Sequence, residues 1–566
     1  MKTCRNLTLL LFALNTCFLL QAQDLGNIKT QKPFTWQGSI GASLNFYSST
    51  EKVYTQPPYA WNVYGNFTGN LYGVTLPVSF LVNQYGKSYT NPFTQFGISP
   101  TYKWIKLHLG YRNMVFSPLT YEGQSFKGAG IELTPGIFRF AAFAGKLNKS
   151  VNEDTTSGRL TMPQFSRKGY GVKIGIGNSS HFFDLIYFSA KDDSSSAKVL
   201  KSGSLRPQEN SVLGSSAKIT LLKKIILTTD VALSGLTQDI GIEKDSTEPS
   251  SLSKFFDRLI DANGSTALAW AGQTLVTFQF NKMQATIGYR RVQPDFKSLG
   301  TPYMLNDLEQ LSLTNHFSLS KGKLNINTSI GSQHNNLNNK LISELKTTTA
   351  NVNVNSILSS KFSLNLNGTF YGLHQKDGLI KVNDSFRLKQ QVLQFSISPV
   401  YLLASSSGNL SLSANLTAGG LFDQNPATDS FNSNRNFSAS ATAAKYINQK
   451  ALNFSLTALH NRFTQGEVDY NSTGFNLGAG TQLLKSKNLS LQGTVGYLFN
   501  NYQSTKTGGN ITFSFNAGYQ AGKQSFSAFT NYLITTPGNI ITNPEKIPVA
   551  VSTKNFAGGL SYSYSF

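Results

Sequence analysis

Residues that could do chemistry are few in this sequence and widely separated. Its six histidines form no HExxH motif and no pair at metal-ligand spacing. The only cysteines, Cys4 and Cys17, lie in an N-terminal segment that we predict is removed, which excludes thiolate ligands and disulfides from the mature chain. We therefore expect no enzymatic activity, no metal site and no cofactor, although a Ser/His or Asp/His site assembled in space stays open.

A set of basic residues is the main candidate for binding. It consists of Lys106, His108, Arg112, Arg139 and Arg290. The first three are spaced by even numbers, which places them on one face of an extended strand. If that face lines a water-filled space, the cations would attract anions. The alternative that we favour is that each basic residue is paired with a loop acid such as Glu122 or Asp295.

The composition indicates which elements must position these residues. Of the 566 residues, 14% are charged and 12% are aromatic, whereas ordinary soluble domains have about 25% charged residues. After the N-terminus, no apolar run approaches the length of about 18 residues that a membrane helix needs. Together these features favour long strands with one apolar and one polar face.

Strict alternation of apolar and polar residues runs along nearly the whole chain. In the segment 36–47, Trp36, Ile40, Leu44 and Phe46 alternate with polar or small residues, and 61–71, 362–371 and 489–497 repeat the pattern. These runs are longer than the usual strand of about 5–6 residues and match the roughly 9–11 residues of a membrane-spanning strand. We predict an all-β fold, a transmembrane antiparallel up-and-down β-barrel of about 26 strands, within a range of about 24–26.

The connections between these runs alternate between tight and long. Tight turns, often with lysine, are predicted near residues 73, 104, 136, 179, 224, 282, 322, 360, 406, 449, 486 and 522. The longest connection, 237–264, contains Leu252, Phe255, Phe256, Leu259 and Ile260 at helical spacing. We predict a short helix over 251–263, either a lid or plug folded into the lumen or, as we favour, a helix packed on neighbouring loops.

Two further loops carry apolar anchors and turn residues. The loop 293–307 contains two prolines and a glycine, and the loop 114–126 has the same character. Each is open to interpretation as an inward constriction or as a partner-docking loop, but we favour a loop that packs on itself.

The two ends of the chain carry targeting signals. Residues 1–22 have the basic start, apolar core and small final residue of a signal peptide, with cleavage between Ala22 and Gln23. Residues 23–34 would then form a short periplasmic segment, followed by the barrel over 35–566. At the C-terminus, outward aromatic and apolar residues alternate with serines and end on an aromatic residue: Leu560, Tyr562, Tyr564 and Phe566.

This C-terminal pattern resembles the terminal strand of Gram-negative outer-membrane β-barrels. Together with the signal peptide and the hairpin series, it makes the chain similar to porin-like outer-membrane barrels. The cleavage region Gln21-Ala22-Gln23 and the asparagine-rich composition also resemble exported proteins of Bacteroidota. We expect no plug domain, because the first predicted strand begins about a dozen residues after the predicted cleavage site. The resemblance implies an outer-membrane location with both termini in the periplasm. It also implies outer-membrane lipids as surroundings and the barrel-assembly machinery as a partner during insertion.

The predicted function is a porin-like channel for passive or loop-gated passage of solutes. The alternative is a partner barrel in an export or surface-protein assembly, with another protein in the lumen or at the periplasmic rim. Nucleic acid is not an expected partner, because the lysines ring one barrel end instead of lining a groove.

Overall fold

The computed structural model of the chain describes most of the barrel and leaves out the N-terminal segment. The described residues are 34–50, 57–71, 74–84, 95–152, 163–197, 205–243, 259–484, 486–537 and 552–566. Among them, no helix is long and apolar enough to cross a membrane. The predicted signal peptide, its cleavage site at Ala22 and Gln23, and the segment 23–33 lie outside the described residues.

Extended strands account for nearly all of the regular structure. They are β1 Phe34–Ser49, β2 Tyr59–Leu71, β3 Val74–Asn83, β4 Gln95–Ile98, β5 Thr101–Tyr102, β6 Ile105–Asn113, β7 Ser125–Leu133, β8 Phe138–Asn148, β9 Ser166–Gly177, β10 Phe182–Asp193, β11 Glu209–Leu221, β12 Ile225–Thr237, β13 Thr266–Phe280, β14 Met283–Val292, β15 Leu308–Leu319, β16 Leu324–His334, β17 Ser343–Ile357, β18 Phe362–Asp377, β19 Lys389–Ser405, β20 Gly408–Asp423, β21 Asn434–Ile447, β22 Leu452–Gln465, β23 Val468–Leu483, β24 Leu489–Tyr502, β25 Thr505–Ala521, β26 Gln524–Pro537 and β27 Thr553–Ser565.

Helical turns are short. A four-residue helix, α1, spans Asp429–Asn432, and 3-10 turns span Ser320–Gly322 and Asp384–Phe386. The helix predicted over 251–263 falls mostly outside the described residues. Its described part, 259–263, is not helical.

Every strand pairs antiparallel with its neighbours in sequence, and the sheet closes on itself. β1 pairs with β2 on one side and with β27 on the other, from Ser39 opposite Ser565 to Ser49 opposite Asn555. β4 and β5 are two pieces of one strand, because both pair with β3 on one side and with β6 on the other. Pro100, which has no backbone N–H to donate, lies at the break between them. The 27 segments therefore make 26 strands, which confirms the predicted closed antiparallel barrel.

The alternation in sequence separates the inner and outer faces of the barrel. On β10, Leu185 is 57% exposed on the outer face, whereas Phe188 is fully buried on the inner face. Directly paired residues share a face, so this assignment passes from strand to strand around the barrel. The outer face is rich in exposed apolar side chains such as Ile174, Leu311 and Ile330.

The connections divide the barrel into two different ends. At the short-turn end the strands are joined by turns such as 103–104, 222–224, 281–282 and 522–523. The long-loop end carries the loops 114–124, 293–307, 335–342, 378–388 and 424–433. Phe34 pairs with Leu71, and the backbone N–H of Phe566 donates to the carbonyl of Gly38. Both ends of the described chain therefore lie at the short-turn end.

Candidate functional site: the barrel interior

Away from the strand ends, the charged side chains of the described inner face lie along one arc of the barrel, from β6 to β14. Across the middle of these strands they are Lys106, His108, Arg112, Glu132, Arg139, Lys173, Asp184, Asp230 and Arg290. Among the described residues, no group of histidine, aspartate and glutamate is arranged to hold a metal ion. All five basic residues singled out in the sequence lie on this face, spread along the arc instead of in one cluster.

His108 lies at the centre of a buried hydrogen-bond chain. Its Nδ1 is 3.1 Å from Ser99 Oγ, and its Nε2 is 2.7 Å from Glu132 Oε1. The same carboxylate oxygen is 3.0 Å from Lys106 Nζ. His108 is 2% exposed and Ser99 is 6% exposed. Because a substrate has no access to this hydroxyl, the chain is best explained as a polar network that ties the interrupted strand at Pro100 to β6 and β7.

Arg139 forms a bidentate ion pair across three strands. Its Nε and Nη2 donate to Asp184 Oδ1 and Oδ2 at 2.7 and 2.9 Å. Gly175 lies between the two residues on β9, and a Cβ at that position would come within 2.0 Å of Asp184 Oδ1. The pair therefore depends on a glycine in the intervening strand. Arg139 is paired with an acid from a strand, not with a loop acid such as Glu122 or Asp295.

Arg290 faces the lumen without a direct carboxylate contact. The neighbouring acid on the inner face, Asp230, accepts a hydrogen bond from Gln273 Nε2 at 3.1 Å. Glu122, in the loop after β6, interacts with Arg290 only electrostatically. The buried Nε of Arg290 has no hydrogen-bond acceptor among the described residues. Arg290 is thus a half-buried cation whose charge is available to a solute.

Two more inner cations contact only neutral groups in the described part of the chain. Arg112 donates to Ser79 Oγ at 2.9 Å and to the carbonyl of Pro77 at 3.3 Å. Lys173 Nζ lies 3.5 Å from the carbonyl of Val115 and forms no salt bridge with any described residue. Since Glu132 and Asp184 are already engaged in ion pairs, this arc of the wall carries an excess of positive charge.

Two loops fold inward and pack against the same arc. The first inward loop, 114–124, and the second inward loop, 293–307, form an apolar cluster with the inner faces of β7 to β14. Its fully or nearly fully buried members include Leu119, Tyr121, Phe188, Val212 and Phe296. The ring centroids of Tyr121 and Phe188 are 5.4 Å apart. Burial raises the pKa of the Tyr121 hydroxyl, which donates to the carbonyl of Gln124 at 2.8 Å.

The two inward loops are joined to each other by hydrogen bonds. Ser298 Oγ donates to the carbonyl of Thr120 at 2.5 Å, and the N–H of Glu122 donates to the carbonyl of Gly300 at 3.0 Å. At Gly300 a Cβ would lie 2.6 Å from the Thr120 carbonyl oxygen. The close crossing of the loops therefore requires glycine. These loops pack on each other and on the wall, so the favoured prediction that each packs on itself is wrong.

Asn210, on β11, holds the second inward loop to the wall. Its Nδ2 donates to the carbonyls of Gly235 and Lys297 at 2.9 and 3.2 Å, and its Oδ1 accepts from the N–H of Leu299 at 3.0 Å. Ser234 Oγ donates to the same Lys297 carbonyl at 2.6 Å. Asn210 is fully buried, so these bonds satisfy backbone groups that water does not reach.

A cavity of about 930 Å³ opens beside the second inward loop, and ligand sites typically have volumes of roughly 300–1,000 Å³. Its lining includes Arg167, Asp192, Asp239, Lys297 and Met304. Arg167 donates to both carboxylate oxygens of Asp192 at 2.8 and 2.9 Å. Burial lowers the pKa of Lys297, and the charge of Arg167 lowers it further. The entrance above the charged arc is therefore polar and held by ion pairs.

The opposite arc of the inner face is neutral. From β15 to β26 its mid-strand side chains are mainly Ser, Thr, Asn, Gln and Gly, as in the row Ser455, Gly478, Thr494 and Ser514. Thr494 and Ser514 are hydrogen-bonded to each other. In the described part of the chain, the inward-loop cluster does not extend to these strands.

The remaining predicted site residues lie away from the lumen or outside the description. Leu560 and Tyr562 are exposed on the outer face of β27, and Tyr564 shares that face. Phe566 stacks on Trp36 with ring centroids 4.2 Å apart. Leu252, Phe255 and Phe256 are outside the described residues. Leu259 and Ile260 are described, and Ile260 is 4% exposed.

Sequence reasoning missed Asn210, Asp184 and Lys173. One signal pointed to their surroundings: the segment 185–188 is apolar at four successive positions, not at alternate ones. Such a run is typical of a strand that is buried on both faces. In a barrel, it indicates an arc of wall that is covered from within.

Comparisons with known proteins give structural neighbours only. No protein-family model matches the sequence, and the search of curated proteins finds no significant match. Among solved structures, the chain is similar to OpdK of Pseudomonas aeruginosa crystallised with vanillate (9% identity, 64% of this chain and 93% of that chain, TM-score 0.30).

Two further neighbours show overlaps of similar quality. OmpT, an outer membrane protein of Vibrio cholerae, has 12% identity over 70% of this chain and 99% of that chain, with a TM-score of 0.24. The siderophore receptor PirA of Pseudomonas aeruginosa has 9% identity over 95% of this chain and 81% of that chain, with a TM-score of 0.35. The fold assignment therefore rests on the strand pairing of this chain itself.

Proposed function

We propose that this chain is an outer-membrane β-barrel channel of a Gram-negative bacterium. Its apolar outer face would contact lipid, and small solutes would pass through its polar lumen. A single observation carries the proposal: the inward loops pack on an apolar patch of only one arc, and the rest of the described inner face is mainly charged or polar. A closed barrel of this many strands is too wide for its own side chains to fill, which leaves a path for water beside the loops.

Selectivity would come from the charged arc. Among the described residues, Arg112, Lys173 and Arg290 have no carboxylate partner at hydrogen-bonding distance, whereas the acids of the same arc are engaged by Arg139, Lys106 and Gln273. In a wall of low dielectric constant, such an excess of cations concentrates anions. We therefore expect small anionic solutes to pass faster than cationic ones. The inward loops would set the size limit.

The orientation and assembly of the barrel belong to the same proposal. Both ends of the described chain lie at the short-turn end, which we place in the periplasm. The outward residues Leu560, Tyr562 and Tyr564, together with Phe566, would be recognised by the barrel-assembly machinery. A Bacteroidota origin, a cleaved signal peptide and the lack of a plug domain stay predictions from the sequence. The proposal assigns no enzymatic activity to the barrel.

Planar-bilayer recording tests the channel. Purified full-length chain is inserted into a bilayer between two KCl solutions of different concentration, and conductance and reversal potential are measured. We expect discrete conductance steps and a reversal potential whose sign indicates that chloride passes more readily than potassium. Insertion without conductance would contradict the proposal. A matched sample of heat-denatured chain controls for detergent leaks.

A partner barrel for protein export or surface assembly is the second candidate. The observation in its favour is the strand number, since porins of about 16–18 strands already enclose aqueous channels and this barrel has 26 strands. Purification in mild detergent from the native host distinguishes the two. A protein that co-purifies in stoichiometric amount and blocks conductance would favour the partner barrel.

A further inference from the structure

The short-turn end of the barrel carries only one kind of charge. In its described turns, the lysines are Lys103, Lys223, Lys224, Lys282, Lys321, Lys323, Lys361, Lys450, Lys487 and Lys523, and all are exposed. No aspartate or glutamate occurs in these turns. The acids nearest to this end, Glu132 and Asp184, face the barrel interior and are already paired.

These lysines have no protein counter-charge among the described residues. The salt bridges Arg167–Asp192, Lys191–Asp261 and Arg387–Asp377 are at the long-loop end. The lysines of the short turns form no ion pair with a described residue. Cations clustered in this way raise the local positive potential, so the ring favours the binding of external anions.

Backbone geometry does not account for the choice of lysine. Lys103, Lys223, Lys321 and Lys487 have φ angles of 50°, 55°, 58° and 55°. This left-handed region favours glycine and asparagine over other residues. Lysine therefore occupies these positions in spite of its backbone preference, which points to a role for the ammonium group.

Exposed apolar side chains lie beside the lysines on the outer face of the barrel. Tyr102 is 42% exposed next to Lys103, Leu221 is 51% exposed two positions before Lys223, and Leu483 is 43% exposed just before the turn that contains Lys487. The strand pairing places all three on the outer face. Aromatic and apolar residues flanked by lysine are typical of protein surfaces at the lipid headgroup layer. There the apolar groups point towards the acyl chains and the ammonium groups towards the phosphates.

We propose that this lysine ring is a binding surface for anionic phospholipid headgroups of the leaflet that surrounds the short-turn end. The lysines follow turns from β5–β6 to β25–β26, around most of the circumference. A lipid annulus contacts the barrel on all sides, whereas a protein partner would cover one arc. The ring thus selects phospholipids with net negative charge, such as phosphatidylglycerol. This inference rests on the proposed membrane location.

The four tryptophans of the chain allow a direct test. Trp36 and Trp104 lie near the short-turn end, and Trp61 and Trp270 lie near the long-loop end. All four are exposed. A W61F/W270F variant reports on the lysine ring, and a W36F/W104F variant reports on the opposite end.

Each reporter variant is reconstituted into vesicles of phosphatidylcholine that contain increasing fractions of brominated phosphatidylglycerol or brominated phosphatidylcholine, which quench tryptophan on contact. For the short-turn reporter we expect a relative binding constant about fivefold higher for phosphatidylglycerol at low salt, falling towards equality at about 0.5 M salt because the interaction is screened. For the long-loop reporter we expect no preference.

Substitution then locates the effect. In the short-turn reporter, Lys103→Gln with Lys523→Gln should remove most of the preference, whereas the matched pair Lys340→Gln with Lys381→Gln, in long loops, should leave it unchanged. If the first pair does not fold, the salt dependence of the unsubstituted reporter decides instead. Equal quenching by both lipids at low salt would overturn the inference about the lysine ring but would leave the membrane location standing. No quenching of any tryptophan by either lipid would overturn the membrane location as well.

Discussion

Replacing Asn210 with leucine should release the second inward loop from the barrel wall. Leucine has the same number and branching of side-chain heavy atoms, but its methyl groups neither donate nor accept a hydrogen bond. The Lys297 carbonyl would then keep only its bond from Ser234, and the N–H of Leu299 would lose its acceptor. We expect the barrel to stay folded, because the strand ladder of β11 does not depend on this side chain.

The size of the effect follows from those bonds. A buried backbone group left without a partner costs about 1–3 kcal/mol. The Leu299 N–H loses its partner fully, and the Lys297 carbonyl loses one of its two bonds. The docked loop is therefore destabilised by about 2–3 kcal/mol, which raises the undocked fraction about 30- to 150-fold.

Two measurements follow the released loop. Trypsin cleaves after lysine, so the rate of cleavage between Lys297 and Ser298 in folded, detergent-solubilised protein reports the undocked fraction. Single-channel records should show larger or more frequent conductance fluctuations. The matched control is Asn476→Leu, on the neutral arc away from the inward loops. A cleavage rate equal to that of the unsubstituted barrel would refute the assignment of Asn210 as the residue that holds the loop.

Three other perturbations test separate parts of the interior. Arg290→Gln should reduce the chloride-over-potassium permeability ratio about two- to fivefold, as measured by reversal potential, whereas Lys381→Gln in a long loop should leave it unchanged. Gly175→Ala places a Cβ 2.0 Å from Asp184 Oδ1 and should destabilise the barrel by about 2–4 kcal/mol; a denaturant midpoint equal to that of the original chain would count against the pair. Burial raises the pKa of Tyr121, so its contribution to stability is complete below its ordinary value of about 10 and decreases as the pH rises above it. Tyr121→Phe should therefore reduce the loss of stability between about pH 9 and about pH 11, and an unchanged loss would show that other tyrosines cause it.

The barrel itself was predictable because one physical constraint repeats along the chain. Residues such as Trp36, Leu44 and Phe46 alternate with polar neighbours over lengths that few other folds use. The tight turns were marked by glycine or lysine between the runs, and the described ones lie at or next to the predicted positions. Local sequence was sufficient because each strand pairs with its neighbour in the chain.

The interior was less predictable because it depends on contacts between distant segments. Ser298 and Thr120 are hydrogen-bonded although 178 positions separate them, and no local periodicity marks such a contact. The sequence suggested loop acids as partners of Arg139, but Asp184, on a nearby strand, takes that role. A glycine at position 175 permits the contact, and only the strand register shows that it lies between the two charges.

The seam between β1 and β27 has a consequence for how the chain is made. All other strands pair with a neighbour that has just been synthesised or is about to follow, whereas Ser39 must wait for Ser565. Until the last strand is made and paired, any partly formed sheet has two open edges with unpaired backbone groups that invite association with other chains. Loss of the last strand would leave that hazard permanent, so a truncated product should be found in aggregates or degraded, not as a smaller cylinder.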